Sequence, residues 1–164
     1  MCGRFTLKTP PAQWSQLLLP IVDFQPLLAG WQPRYNIAPT QDILALACEA
    51  ENAAYATYFR WGLLPKWATE LSIGSRMINA RRETLAEKKS FATPLATRRC
   101  LIIADGYYEW RPEKAGKQAY WISPKDGGIM QFAGLWEQNS KIGPQPIRSC
   151  TIITTAAAAN LAAI

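Results

Sequence analysis

Apolar and polar positions in this chain fall into short runs. Gly3 to Leu7 reads as a brief strand. Thr9-Pro10-Pro11 supplies an N-cap and a first-turn proline, and Trp14, Leu17 and Leu18 follow at helical spacing. Residues 20–40 carry Pro20, Pro26, Gly30, Pro33 and Pro39 and read as a long loop. Ile43 to Cys48 is a strand that Glu49 to Asn52 turns back onto Ala54 to Trp61, a predicted hairpin. Gly62 to Ser75 is mostly loop, and a short helix is expected after Asn79, over Glu83 to Lys89. Cys100 to Ala104 is a solidly apolar strand that Asp105-Gly106 breaks. Ala119 to Ser123 and Ile129 to Leu135 flank the turn Pro124-Lys125-Asp126-Gly127-Gly128, which predicts a second hairpin. Ile147 to Thr154 is a last strand, after which Thr155 caps an alanine-rich helix over Ala156 to Ile164.

About seven strands with a few short helices, in no regular βα order, point to an α+β fold. The sheet is expected to be mostly antiparallel and barrel-like, in a single domain over 1–164. A length of 164 residues suits one core, and 49% hydrophobic with 18% charged residues is a globular composition. No apolar run nears the roughly 18 residues of a membrane helix, and the N-terminus has no signal-peptide pattern, so a cytoplasmic protein is expected.

Cys2, Cys48, Cys100 and Cys150 are widely spaced, which argues against a disulfide framework or a Cys-x-x-Cys metal pair. The last three lie in apolar runs and are expected to be core thiols. Histidine is absent, which removes the usual neutral-pH base and the commonest zinc ligand; no metal or other cofactor is expected. The net charge of +6 is compatible with a polyanionic partner. Cations and aromatics are interleaved, Arg34 with Tyr35, Arg60 with Trp61, Lys66 with Trp67 and Trp110 with Arg111, a combination suited to phosphates and bases of single-stranded nucleic acid. Most of the 7 tryptophans are nonetheless expected in the core.

Three residues carry candidate chemistry. If Met1 is removed, Cys2 gains a free α-amine beside its thiol, with an amine pKa of roughly 7.7 to 8.0 in model peptides. Such an aminothiol condenses with an aldehyde to an imine and then closes to a five-membered thiazolidine. The alternative is a cysteine that merely happens to be second. Asn79 holds reacting groups by hydrogen bonds without titrating, or caps a helix. Glu109, between aromatic residues after an apolar strand, is expected to be partly desolvated and suited to proton transfer, or else to be paired with an arginine.

Five blocks, in order, carry a resemblance: Met1-Cys2-Gly3-Arg4-Phe5, Arg34-Tyr35-Asn36-Ile37-Ala38-Pro39-Thr40, Trp61-Gly62-Leu63-Leu64-Pro65-Lys66-Trp67, Asn79-Ala80-Arg81-Arg82-Glu83-Thr84, and Arg99 through Asp105-Gly106-Tyr107-Tyr108-Glu109-Trp110. The chain resembles the SOS-response-associated peptidase family, whose members shield and process abasic sites in DNA. The resemblance implies a thiazolidine between Cys2 and the ring-opened abasic sugar, with Asn79 positioning the reacting groups and Glu109 shuttling protons. It implies that Arg4, Arg81 and Lys89 hold phosphates, that Pro39 and Trp67 press on neighbouring bases, and that Trp110 and Thr155 also contact DNA. The implied partner is single-stranded DNA containing abasic sites; peptidase activity would be autoprocessing that exposes Cys2. In the family a catalytic histidine follows the Thr-Ala-rich segment that here runs from Thr154 to Ile164, so a shortened version of a longer protein is expected. Two other readings stay open: an N-terminal-nucleophile amidohydrolase, which also begins Met-Cys-Gly, and a non-covalent single-stranded DNA-binding module.

Overall fold

The apolar runs without alternation are strands covered on both faces. In the computed structural model, which describes residues 2–18, 22, 24, 27, 30–48 and 54–161, Ile43 through Ala47 and Ile102 through Ala104 are continuously buried. These runs lie in strands β3 (Asp42–Ala47) and β6 (Arg99–Ala104), which pair antiparallel. Strand β4 (Tyr55–Trp61) returns on β3 as the predicted hairpin, with Asp42 opposite Arg60 and Ala47 opposite Tyr55. The turn expected at Glu49 to Asn52 lies outside the described residues. Strand β9 (Met130–Asn139) pairs with β6 and with β10 (Ile147–Thr154). Strand β10 then runs parallel to β4, Cys150 opposite Trp61, and closes a five-stranded barrel in the order β4-β3-β6-β9-β10. A three-residue strand, β5 (Asn79–Arg81), joins the far side of β10 in parallel.

A second sheet packs on the barrel, in the order β2-β1-β7-β8, with β1 (Arg4–Leu7), β2 (Arg34–Ile37), β7 (Gly106–Glu113) and β8 (Gly116–Ile122). Phe5 locks the two sheets together, its ring edge-on to Trp61 at 5.3 Å and to Phe132 at 5.8 Å. The helices are α1 (Pro11–Leu18), α2 (Ser72–Ser75) and α3 (Lys89–Thr97). Phe91 of α3 joins Leu63, Ala80, Leu85 and Leu135 in a smaller core beneath β5 and β9.

Asp105 is the pivot between sheets. Its buried carboxylate accepts hydrogen bonds from Thr6 Oγ1 (2.5 Å), Lys8 N (2.6 Å), Thr9 N (2.7 Å) and Thr9 Oγ1 (2.9 Å). Burial alone would raise its pKa; the Thr6, Thr9 and Lys8 donors outweigh it and hold the carboxyl below its ordinary value. Gly106, next in line, leaves room for the Trp121 indole: a Cβ there would lie 2.4 Å from Trp121 Nε1.

Several expectations change. Residues 34–37 are strand, not loop, because Phe5 and Leu7 of β1 pair with Ile37 and Arg34. Asp105-Gly106 redirects the chain into β7, which alternation had not revealed. The turn at 124–128 exists, with Gly127 N bonded to Pro124 O at 3.2 Å, yet it does not close a hairpin. It links two sheets: β8 pairs with β7, and β9 with β6 and β10. Only a single 3₁₀ turn, Arg82–Thr84, precedes the real helix at Lys89–Thr97. Beyond Thr154 the described residues form coil and a 3₁₀ turn, Ala159–Leu161, and Thr155 caps no helix. Among the described residues there are ten strands rather than seven. Cys100 and Cys150 are core thiols, but Cys48, just past β3, is exposed. Of the tryptophans only Trp14, Trp61 and Trp136 are buried, while Trp67, Trp110 and Trp121 are exposed. No described helix is long and apolar enough to cross a membrane.

Candidate active site

Cys2 lies at the seam of the two sheets, one residue upstream of Gly3 and two before β1 begins. Pairing of β1 with β7 sets Phe5 opposite Tyr107. The strand period of 2 then sends Tyr107 and Glu109 to the barrel-facing side and Tyr108 and Trp110 to the other. Cys2, Tyr107 and Glu109 line one cleft of about 440 Å³ together with Ile122, Phe132, Ile152 to Ala158 and Leu161. The cleft is walled by apolar side chains on three elements, with the carboxylate and thiol as its ionisable groups beside the Tyr107 phenol.

Asn79 grips Cys2 from the barrel side. Its Nδ2 donates to the Cys2 carbonyl oxygen at 2.8 Å. Its Oδ1 is buried and has no hydrogen-bond partner among the described residues. An unfilled buried acceptor is costly, on the order of 1–3 kcal/mol, which marks a position suited to a donor from outside. Asn79 is therefore not a helix cap: it begins β5, opposite Ile152 of β10.

Burial pushes the Cys2 thiol up to about 12, and the negative charge of Glu109 adds to the effect. The Sγ–H makes only a long contact, 3.9 Å, to the Arg4 carbonyl. Tyr107 is also raised, first by burial and then by Glu109 and Cys2. At neutral pH the thiol is protonated, so any attack by sulfur requires a base to accept its proton. Glu109 lines the same cleft.

The remaining predicted residues divide by position. Thr155 lines the cleft, and its Oγ1 donates to Glu83 Oε1 at 3.1 Å. Arg81, paired with Thr154 across β5 and β10, borders a neighbouring hollow of about 290 Å³ with Thr155 and Thr84. Arg4 turns its guanidinium to the outer face, donating to Asn36 Oδ1 at 2.9 Å. Trp110 is 37% exposed on that same face, beside Tyr108. Lys89 starts α3 in solvent, and Pro39 and the 56%-exposed Trp67 stand on loops outside the cleft. The Pro39 loop is strained: Thr40 adopts φ 73°, unusual for a β-branched residue. It is held there by Thr40 N to Trp61 O (2.8 Å) and by Arg60 Nη1 to Thr40 O (2.9 Å).

Sequence reasoning missed Tyr107, Phe132, Ile122 and, apart from Thr155, the Ile152 to Ala158 wall. Tyr107 was recoverable, since it stands two residues before Glu109 in a strand. The others depend on which sheets meet, which no local signal carries. Among the described residues no cluster of His, Cys, Asp and Glu could hold a metal ion.

The model of the SOS response associated peptidase family matches residues 1–164. The chain belongs to this family. Abasic site processing protein YoaM of Bacillus subtilis is 42% identical over 158 residues, which are 94% of this chain and 67% of that protein. Abasic site processing protein YedK of Escherichia coli is 31% identical over 139 residues, 82% of this chain and 59% of YedK. The crystal structure of a phage-related protein of Bordetella bronchiseptica superposes with a TM-score of 0.73 at 28% identity, covering 94% of this chain and 69% of that one. A Bacteroides thetaiotaomicron protein shares the fold with a TM-score of 0.78 at 24% identity. These solved structures share the fold of this chain.

Proposed function

We propose that this chain handles abasic sites in single-stranded DNA by joining the ring-opened sugar to Cys2 as a thiazolidine. The observation that carries the proposal is the grip of Asn79 on the backbone of Cys2, a residue that lines one cleft with Glu109. Similarity to abasic site processing proteins supports the substrate.

The reaction requires loss of Met1. The free amine of Cys2 adds to the sugar aldehyde, giving a carbinolamine. Glu109 passes the proton shed by the Cys2 ammonium to the hydroxyl, water leaves, and an iminium remains. Ionised Glu109 then takes the thiol proton as sulfur bonds to the iminium carbon. Nitrogen ends neutral, Glu109 regains its proton, and one water has been released. Asn79 Oδ1, without a hydrogen-bond partner among the described residues, is suited to accept a hydrogen bond from the Cys2 amine while Nδ2 holds the carbonyl. The two bonds together fix the amine in line with the aldehyde. The raised thiol pKa is compatible with this order, since proton removal is coupled to ring closure rather than preceding it.

The test is the intact mass of the protein before and after mixing with an abasic oligonucleotide, followed by a denaturing gel. The expected product is the chain without Met1 plus the oligonucleotide, less one water, and it survives heat and detergent. Binding with no covalent product would leave a non-covalent DNA-binding module instead.

A further inference from the structure

At the other end of β10 lies a second hollow, unconnected to the chemistry of Cys2. Lys66, Arg98, Lys141 and Arg148 line a groove of about 610 Å³ with Gln138, Ser140 and the Trp136 indole. Four of these side chains are cations and none is a carboxylate. The carboxylate beneath them, Glu137, is buried and bonded to Arg98 at 3.4 Å and to Gln138 N at 2.9 Å. The groove therefore keeps a large positive surplus.

Its cations are also pre-ordered. The Arg98 and Arg148 guanidinium carbons stand 5.8 Å and 5.6 Å from the centre of the same indole. Arg148 Nε further donates to Gln138 Oε1 at 3.1 Å. Trp136 is itself clamped by Phe59, stacked at 5.4 Å and 13°. Side chains already held in place lose less entropy on binding a ligand. Two guanidinium groups on one ring also repel each other, which a bound anion relieves. The buried Trp136 Nε1–H, without an acceptor among the described residues, adds a further donor under the floor.

The groove is placed to continue a nucleic-acid track. Arg148 and Thr154 share β10, six residues apart, about 20 Å at ~3.3 Å per residue. Lys66 immediately precedes the exposed Trp67.

We propose that this groove binds the sugar–phosphate backbone of the same DNA strand at a distance from the abasic site, extending the footprint beyond the Cys2 cleft. This rests on the reading of the partner as DNA but not on the thiazolidine. A flexible polyanion matches a groove with four cations and no carboxylate, two of whose guanidinium groups are held over one indole, and neutralised phosphates release counterions.

The experiment uses the full chain in a Cys2→Ala background, so that no covalent product contributes. Affinity for a short oligonucleotide centred on the lesion and for one several times longer is measured against salt. Lys141→Glu with Arg148→Glu should weaken the long oligonucleotide by about tenfold and reduce the magnitude of its salt slope by about 1.4, from ~0.7 per phosphate contact. The short one should bind as before. Lys141→Gln alone, exposed and outside the core, should give the same pattern at smaller size, which guards against a folding defect. Unchanged affinity and slope on the long oligonucleotide would overturn the proposal. Crosslinking of the short abasic oligonucleotide by the Cys2-containing chain reads the thiazolidine separately, so either reading can fail without the other.

Discussion

The barrel and the sheet laid against it use strands of similar length, yet they divide the work. In the barrel every strand of the ring has two hydrogen-bonded neighbours, and β3 is buried on both faces from Ile43 to Ala47. The second sheet is open, with β2 and β8 as edges. Its inner face sets Phe5, Tyr107 and Ile122 against the barrel. Its outer face presents Arg4, Asn36, Tyr108, Trp110 and Trp121. A closed barrel leaves none of its ring strands as a free edge. An open sheet supplies a surface but needs the barrel to hold it. Cys2 sits where the two meet, with Asn79 contributed by the barrel's added strand and Glu109 by the open sheet. The site therefore depends on the relative placement of both.

The sharpest break in this comparison is between cysteines. Cys2 and Cys100 are both buried thiols pushed up to about 12 by desolvation. Cys2→Ala should abolish the heat-stable DNA adduct completely and leave folding intact. Cys100→Ala should leave the adduct and lower thermal stability, since it opens a gap beside Gly134 in the barrel wall. Adduct yield on a gel and thermal melts distinguish the two.

Next in size, Glu109→Gln keeps the shape of the open sheet and removes its proton carrier. Single-turnover crosslinking should slow by about 10²–10⁴-fold, the usual range for positioned acid–base catalysis. DNA affinity should change little. An unaltered rate would transfer the proton work to another group.

Aromatic residues test the division of labour itself. Phe59→Ala, in the barrel core against Trp136, should cost about 3–5 kcal/mol of folding stability by denaturant titration. Trp110→Ala, on the outer face, should alter stability by no more than about 0.5 kcal/mol. It should weaken single-stranded DNA binding by about 1–3 kcal/mol if a base stacks there. Equal stability losses would mean that the outer face is structural.

The smallest effect concerns the pivot. The folded pKa of Asp105 is depressed, so its contribution is fully present above the unfolded value near 3.8 and is lost as pH falls through the lower folded value. Asp105→Asn should lower stability at neutral pH and flatten the acid limb of the stability curve below about pH 4. An acid limb identical to that of the parent would show that Asp105 does not couple the sheets to pH.

Much of the barrel was legible in sequence. The β3–β4 hairpin and the full span of β10 follow from apolar runs bounded by turn residues, because local alternation and turn chemistry are sufficient there. The hairpin across 124–128 was misread for the same reason. Its turn signal is genuine, but β8 pairs with β7 while β9 pairs with β6 and β10, and pairing is chosen by the whole sheet. The helix expected at Glu83 to Lys89 appears later, where Phe91 finds the pocket around Leu135. Cys48 shows the limit from another side: an apolar run says nothing about the residue at which a strand leaves the core.

By itself the sequence singled out the candidate side chains and the strands whose apolar runs are bounded by turn residues. A cysteine at position 2, an asparagine before two arginines and a glutamate among aromatics are properties of residue type and order, and alternation places Tyr107 with Glu109. What only the tertiary structure decided is that Cys2, Asn79 and Glu109 meet, that the 152–158 segment walls their cleft, and that Lys66, Arg98, Lys141 and Arg148 converge at the opposite end of β10. These groups are far apart in the chain, brought together by parallel β4–β10 and β5–β10 pairing and by the crossing at Asp105. Such long-range pairings leave no local periodicity, because their free energy comes from closing a barrel and burying the face of one sheet on another.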